Sequence, residues 1–178
     1  LKEGIFWDDG TQLTAKDVKF STKMMLCPLT DNTQIRSNYS TVIYSIELDP
    51  DEPLKFTMVA QGVNYTNKDI FSELYILQKS HWDPDGIVDQ ISFNEIHNKV
   101  EETAKRYNWF FKFNHVSNGR NPKKLVGLGP YTVSKYADKE YIILTKKTNW
   151  WGEKDTSIYN QALPERIIFK VINDPSGV

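Results

Sequence analysis

One cysteine, Cys27, stands in the whole chain, so an internal disulfide is excluded. It reads as a buried thiol at a helix end rather than a reactive group. The want of disulfides does not exclude an exported protein, because a large core holds without them. Charge of one sign is lacking too. Lys+Arg 22 against Asp+Glu 23 leaves a net charge of −1, which argues against nucleic acid or an acidic surface as partner. No run approaches roughly 18 apolar residues, so no membrane-spanning helix is legible. The chain shows no signal peptide and does not open on Met. Its histidines, His81, His97 and His115, are scattered, and none stands at metal-ligand spacing with another His, Cys or paired carboxylate. Nucleophile-elbow, phosphate-loop and zinc signatures are missing. The sequence therefore names no catalytic residue, no metal ligand and no cofactor.

Aromatic residues are in excess, at 13% with five Trp. They fill a core or line a ligand pocket, and sequence leaves both open. Hydrophobic residues make up 39% of 178 positions, enough for one substantial core or two small lobes. A chain of this size buries roughly 70% of its unfolded surface.

Residues 4–18 run from an apolar strand end (Ile5, Phe6, Trp7) through an Asp9-Gly10 turn into a helix opened by Thr14. Thr14 and Asp17 have the form of a capping box with Asp in place of Glu. The helix is predicted over 15–27, with Val18, Thr22, Met25 and Leu26 on one face, and Pro28 ends it. Residues 29–38 are polar and read as a loop. Tyr39–Leu48 and Leu54–Ala60 flank a Pro/Asp turn and read as an antiparallel hairpin. Asn67 reads as the cap of a helix over 68–75, Ile76–Lys79 as extended chain, and His81–Gly86 as a loop. Ser92 and Glu95 form a second capping box, opening one helix striped by Phe93, Ile96, Val100, Ala104 and Tyr107. His97 lies close to that stripe and reads as a satisfied edge residue. The aromatic run over 109–113 reads as buried.

Residues 117–124 form the best linker. Beyond it, Tyr131–Tyr136 and Tyr141–Thr145 read as a second hairpin, 152–163 as loop, and Glu165–Ile172 as a strand closed by Asn173-Asp174-Pro175. The fold class is α+β (mixed α/β), strand-rich with two to three helices. Several short features have plain structural readings. Gly127 and Gly129 read as a positive-φ turn into a strand. Asp9 is explained by its turn, though Asp8 beside it makes a pair of acids. Trp150-Trp151-Gly152 is a plug at the hairpin base or a sugar-stacking platform. Lys123-Lys124 is a solvated pair. Asn38-Tyr39-Ser40 and Asn64-Tyr65-Thr66 fit the glycosylation pattern, one that arises often by chance.

Two ordered motifs carry a family resemblance. The first is Gly4-Ile5-x-Trp7-x-Asp9-Gly10-Thr11-x-Leu13-Thr14-Ala15-x-Asp17-Val18. The second is Gly127-Leu128-Gly129-Pro130-Tyr131, then Leu144, Trp150-Trp151-Gly152, Leu163-Pro164 and Ile167–Ile172 with Asp174. Together they resemble the family 5 extracellular solute-binding proteins, the dipeptide- and oligopeptide-binding receptors of bacterial ABC importers. Lys2 and Lys146 stand where Arg is usual, Gln12 and Thr148 where Pro is common, and Trp150 where Tyr is usual.

The resemblance implies a type II two-lobed clamp that closes on its ligand by hinge motion and hands it to a membrane permease. Residues 1–116 would be the peripheral subdomain of the N-terminal lobe, and 125–178 part of that lobe's main sheet, with the second lobe absent. The chain would then be a fragment of a longer receptor, and its truncated sheet would offer open edges to another copy. Its location would be periplasmic or cell-surface, with any lipidated cysteine upstream of Leu1. Members of such a family take di- and oligopeptides, nickel chelates, haem, opines and oligosaccharides, so the ligand and its contact residues stay unnamed. No nucleic-acid partner is implied. The alternatives are an aromatic-rich carbohydrate-binding module of a secreted enzyme and the ligand-sensing domain of a regulator.

Overall fold

The carboxylate of Asp17 does two jobs, and they explain where the first helix starts and what it packs on. One oxygen accepts the Thr14 N–H at 2.9 Å and the Thr14 hydroxyl at 3.2 Å, satisfying a donor the helix start leaves free. The other accepts the Lys79 N–H at 2.8 Å, 62 residues on. Helix α1 (Ala15–Leu26) follows, and Cys27 leaves helical angles, at ψ 126°, immediately before Pro28. The computed structural model describes residues 1–63, 67–155 and 162–172.

The chain divides into two compact units, Leu1–Glu3 with Leu13–His115, and Gly4–Gln12 with Val116–Val178. The opening turn thus belongs with the second unit, not with the residues that follow it. In the first unit α1 lies in a core built of Phe20, Met24, Leu26, Ile43, Ile46 and Ile91, all buried. Strands β1 (Ile43–Leu48) and β2 (Phe56–Ala60) form the expected antiparallel hairpin, with Ile46 opposite Met58 and a bulge between Ile43 and Ser45. Asp49 closes its turn by accepting the Asp51 and Glu52 N–H groups, each at 3.0 Å.

Four readings of the first unit need correction. The polar stretch 29–38 is not all loop: α2 spans Thr33–Tyr39. Tyr39 is buried, its hydroxyl donates to Glu73 O at 2.9 Å, and Ile35 also packs on the core. Long-range contacts outweigh a weak local signal here. Helix α3 spans Asn67–Ser72, with Asn67 inside it rather than ahead of it. A further short helix, α4 (Lys79–Trp82), replaces the end of the extended segment and the start of the loop. The long helix after Ser92 is two, α5 (Phe93–His97) and α6 (Ala104–Phe113). The Ser92–Glu95 box is made, with Glu95 N–H to Ser92 Oγ at 3.1 Å and Ser92 N–H to Glu95 Oε2 at 2.8 Å. Thr103 then caps α6 by accepting the Arg106 N–H at 3.3 Å. The aromatic run 109–113 is the end of α6. Phe110 is buried, Trp109 and Phe113 are half-buried and stacked 5.2 Å apart, and Phe111 is exposed.

The linker segment holds two short turns, α7 (Ser117–Arg120) and a 3-10 turn at Pro122–Lys124. The second unit's sheet runs β3–β4–β5, all antiparallel: β3 (Tyr131–Ala137), β4 (Tyr141–Lys146) and β5 (Arg166–Lys170). Val133 faces Leu144, and Leu144 faces Ile167. Strands β3 and β5 are the sheet's edges, and Ile168 and Phe169 of β5 are exposed. The turn over Asn173-Asp174-Pro175, the Asn64-Tyr65-Thr66 triplet and residues 156–161 of the 152–163 loop lie outside the described residues.

Candidate functional site

The opening part of the first motif, Gly4–Gln12, meets the second motif in the second unit. The Asp9-Gly10 turn forms as the residues dictate. Gly10 adopts φ +82°, a conformation that favours glycine, and Asp9 Oδ1 accepts the Thr11 N–H at 2.9 Å and the Thr11 hydroxyl at 2.7 Å. Phe6 bridges to Gln12 across the turn. This small hairpin leaves Asp8 to reach the other motif. Its carboxylate pairs with Lys147 and accepts the Gly127 N–H at 3.4 Å. Lys147, whose side chain is only 11% exposed, donates from Nζ to Gly127 O at 2.8 Å, and its backbone N–H donates to Pro130 O at 2.8 Å.

The Trp150-Trp151-Gly152 motif holds the same segment from another side. Both indole N–H groups donate to one carbonyl, Leu128 O, each at 2.7 Å. The rings are tilted 55° to each other and half-buried, so they are not the coplanar exposed row that sugar stacking needs. Gly152 is explained by close approach: a Cβ there would lie 2.4 Å from the Trp150 ring. Gly127 and Gly129 depart from expectation. Neither has a positive φ, and a Cβ at either would meet nothing within 4 Å. Hydrogen bonds to the Asp8 carboxylate, and from Lys147 and the two Trp residues, shape that segment instead.

These groups wall a cavity of about 700 Å³, entirely within the second unit, with Phe6, Trp7, Asp8, Lys146, Trp150 and Trp151 among its lining. Its volume is that of a small-molecule pocket. Trp7 is buried, at 4% exposure, and among the described residues its indole N–H has no acceptor. Sequence reasoning did not single out Lys147 or the Trp7 indole; a lysine beside the Trp pair was the signal for the first. The first unit has a smaller cavity of about 310 Å³ beside Tyr107, Phe110 and Phe111.

The remaining candidates sit in structural roles. His97 Nε2 lies 2.7 Å from Tyr44 O, and its ring stacks on Tyr44. His81 meets the edge of Trp82. Among the described residues no group of three or more His, Cys, Asp or Glu could hold a metal ion. Cys27 is fully buried, and desolvation pushes its thiol pKa up. Lys23 is buried, with Nζ donating to Val88 O at 3.1 Å and Asp89 O at 3.2 Å. Desolvation lowers its pKa to about 8. Among the described residues no helix is long and apolar enough to cross a membrane.

The model of the bacterial extracellular solute-binding proteins, family 5 Middle, matches residues 1–178. No curated protein matches the chain. Among solved structures, NikZ from Campylobacter jejuni in complex with Ni(L-His) is 22% identical with a TM-score of 0.64, covering 99% of this chain and 27% of that one. The oligopeptide-binding protein AppA from Bacillus subtilis, in complex with a nonapeptide, is 20% identical with a TM-score of 0.63, covering 99% and 28%. A mannohexaose-bound periplasmic oligopeptide-binding protein from Thermotoga maritima is 25% identical with a TM-score of 0.58, covering 94% and 25%. The chain therefore spans about a quarter of the length of these structures.

Proposed function

The chain belongs to the bacterial extracellular solute-binding proteins of family 5, and from that premise we propose that it serves the receptor of an ABC importer, capturing peptides or a similar small solute outside the cytoplasm. The observation that carries this reading is the junction in the second unit. The two motifs of the family resemblance lie 119 residues apart in sequence at Asp8 and Gly127, yet they are bonded to each other. Likeness of fold to structures bound to a nonapeptide and to Ni(L-His) supports capture of a small solute. The mannohexaose-bound structure keeps an oligosaccharide in view as the solute.

On this reading the first unit is the peripheral subdomain of the N-terminal lobe, and the β3–β4–β5 sheet is part of that lobe's main sheet. The partner is a membrane permease, and a second lobe supplies the other jaw. The edges β3 and β5 are where a second copy would add a strand. The test is capture without turnover. The chain, within its complete reading frame, is incubated with a pool of short peptides, and the retained species are weighed by mass spectrometry. Intact peptides at one-to-one stoichiometry are expected. Shortened peptides accumulating with time would mean an enzyme and end the receptor reading.

A further inference from the structure

The smaller cavity, about 310 Å³ beside α6 in the first unit, is left unused by the receptor reading. We propose that it is a surface site for a neutral oligosaccharide, one sugar ring lying flat against the paired rings of Tyr107 and Phe111. The site is separate from the ligand that the receptor captures and does not depend on that reading.

Tyr107 and Phe111 stand four apart on α6, the spacing that sets side chains on one helix face. Their planes lie within 20° of each other, with centroids 6.2 Å apart. That separation is near the wide end of the roughly 4.5–7 Å range for ring pairs, so neither ring covers the other's face. The two residues are accordingly 56% and 64% exposed. The result is a nearly flat aromatic pair open to solvent. Trp150 and Trp151, tilted 55° and both bonded to Leu128 O, present no such surface. The hollow beside the pair is pre-formed. Buried Phe110 and half-buried Leu29 line it. Asn114, at the end of α6, ties it together: its amide donates to Leu29 O at 2.8 Å, and its Oδ1 accepts the Asp31 N–H at 3.1 Å.

The ligand class follows from what such a surface can attract. A pyranose ring has a flat C–H face, slightly positive, and a rim of hydroxyls. The C–H face matches the negative face of an aromatic ring, and the hydroxyls stay in water. A ligand apolar on one side only suits rings whose neighbours Glu102 and His115 are exposed and polar. An ion has less to gain. Glu101 and Glu102 ahead of α6 are balanced by Lys105 and Lys112 on it, so no net charge selects either sign.

The experiment titrates cellotetraose into the chain within its complete reading frame and follows saturation-transfer NMR. Glucose and sorbitol are the controls; sorbitol has the hydroxyls but no ring face. Transfer is expected to the C–H protons of one sugar face, with the tetrasaccharide several-fold tighter than glucose and sorbitol silent. Tyr107→Ala and Phe111→Ala should each weaken binding on the order of fivefold, with circular dichroism and peptide capture unchanged. Tyr107→Phe keeps the ring and should keep the binding. Equal binding by the Tyr107→Ala/Phe111→Ala double variant, or no transfer at a probe concentration on the order of 10 mM, overturns the site. Displacement of the sugar by captured peptide also overturns it, because the sugar would then occupy the receptor's own ligand site. A dimer in sedimentation that Phe111→Ala dissolves would assign the rings to a second copy and likewise end the proposal. Loss of peptide capture with sugar binding intact would end the receptor reading alone.

Discussion

At Gly152 the backbone comes so close to the Trp150 ring that a methyl group has nowhere to go. Gly152→Ala must push the ring off Leu128 O or shift the turn, an overpacking cost of about 1–3 kcal/mol. Chemical denaturation should show that loss, while Gly127→Ala, with open space around it, should change stability by less than about 1 kcal/mol. Lys23 allows a second test at this scale. Its folded pKa, about 8, lies below the ordinary 10.5, so between those values the unfolded chain holds the extra proton. Stability contributed at this site therefore rises as pH climbs through 8, at a slope of up to about 1.4 kcal/mol per pH unit. Lys19 adds to the shift, while Asp83, Asp89 and Glu95 oppose it. Cys27 acts with the opposite sign. Its thiol pKa is raised above 9.0, so its contribution is lost at higher pH. Melting temperatures measured from pH 7 to 9 should climb in the parent relative to Lys23→Met; parallel curves would refute the assignment.

Helix starts were legible in sequence because capping is local chemistry. Both boxes, Thr14–Asp17 and Ser92–Glu95, open helices at the expected residue. Helix ends and interruptions were less so. No Gly or Pro lies between Asn98 and Thr103, so nothing local announces the break between α5 and α6. Likewise α2 is held by Tyr39 and Ile35 against residues distant in sequence, which propensity cannot see. In the site, the Asp-Gly turn and the Trp pair were readable, but the role of Lys147 depends on Asp8, more than a hundred residues away, and the Trp7 indole N–H has no acceptor among the described residues. The break gives a test of its own. As the cap of α6, Thr103→Ala should cost about 1 kcal/mol, adding to a similar loss from Ser92→Ala. In one continuous helix Thr103→Ala would stabilise instead, because alanine is the better helix former. Urea midpoints of the two single variants and the double variant decide between them.

The second unit takes nine residues from near the start of the chain and joins them to the sheet after residue 116. Removing residues 1–12 takes away Trp7 and Asp8, and leaves Lys147 without its carboxylate. Amide hydrogen exchange should then show lost protection across β3, β4 and β5. Helix α1 keeps Thr14 and Asp17 and should stay protected. Equal loss in both units would mean that they do not fold as separable bodies.

That discontinuity also has a temporal side. A ribosome emits Asp8 well before Lys147, and at roughly 5–20 residues per second the delay is on the order of ten seconds. For that interval the early turn has its hydrogen bonds to Thr11 but no cation to meet. Its tryptophan is meanwhile open to whatever chaperone or translocation channel attends the nascent polypeptide.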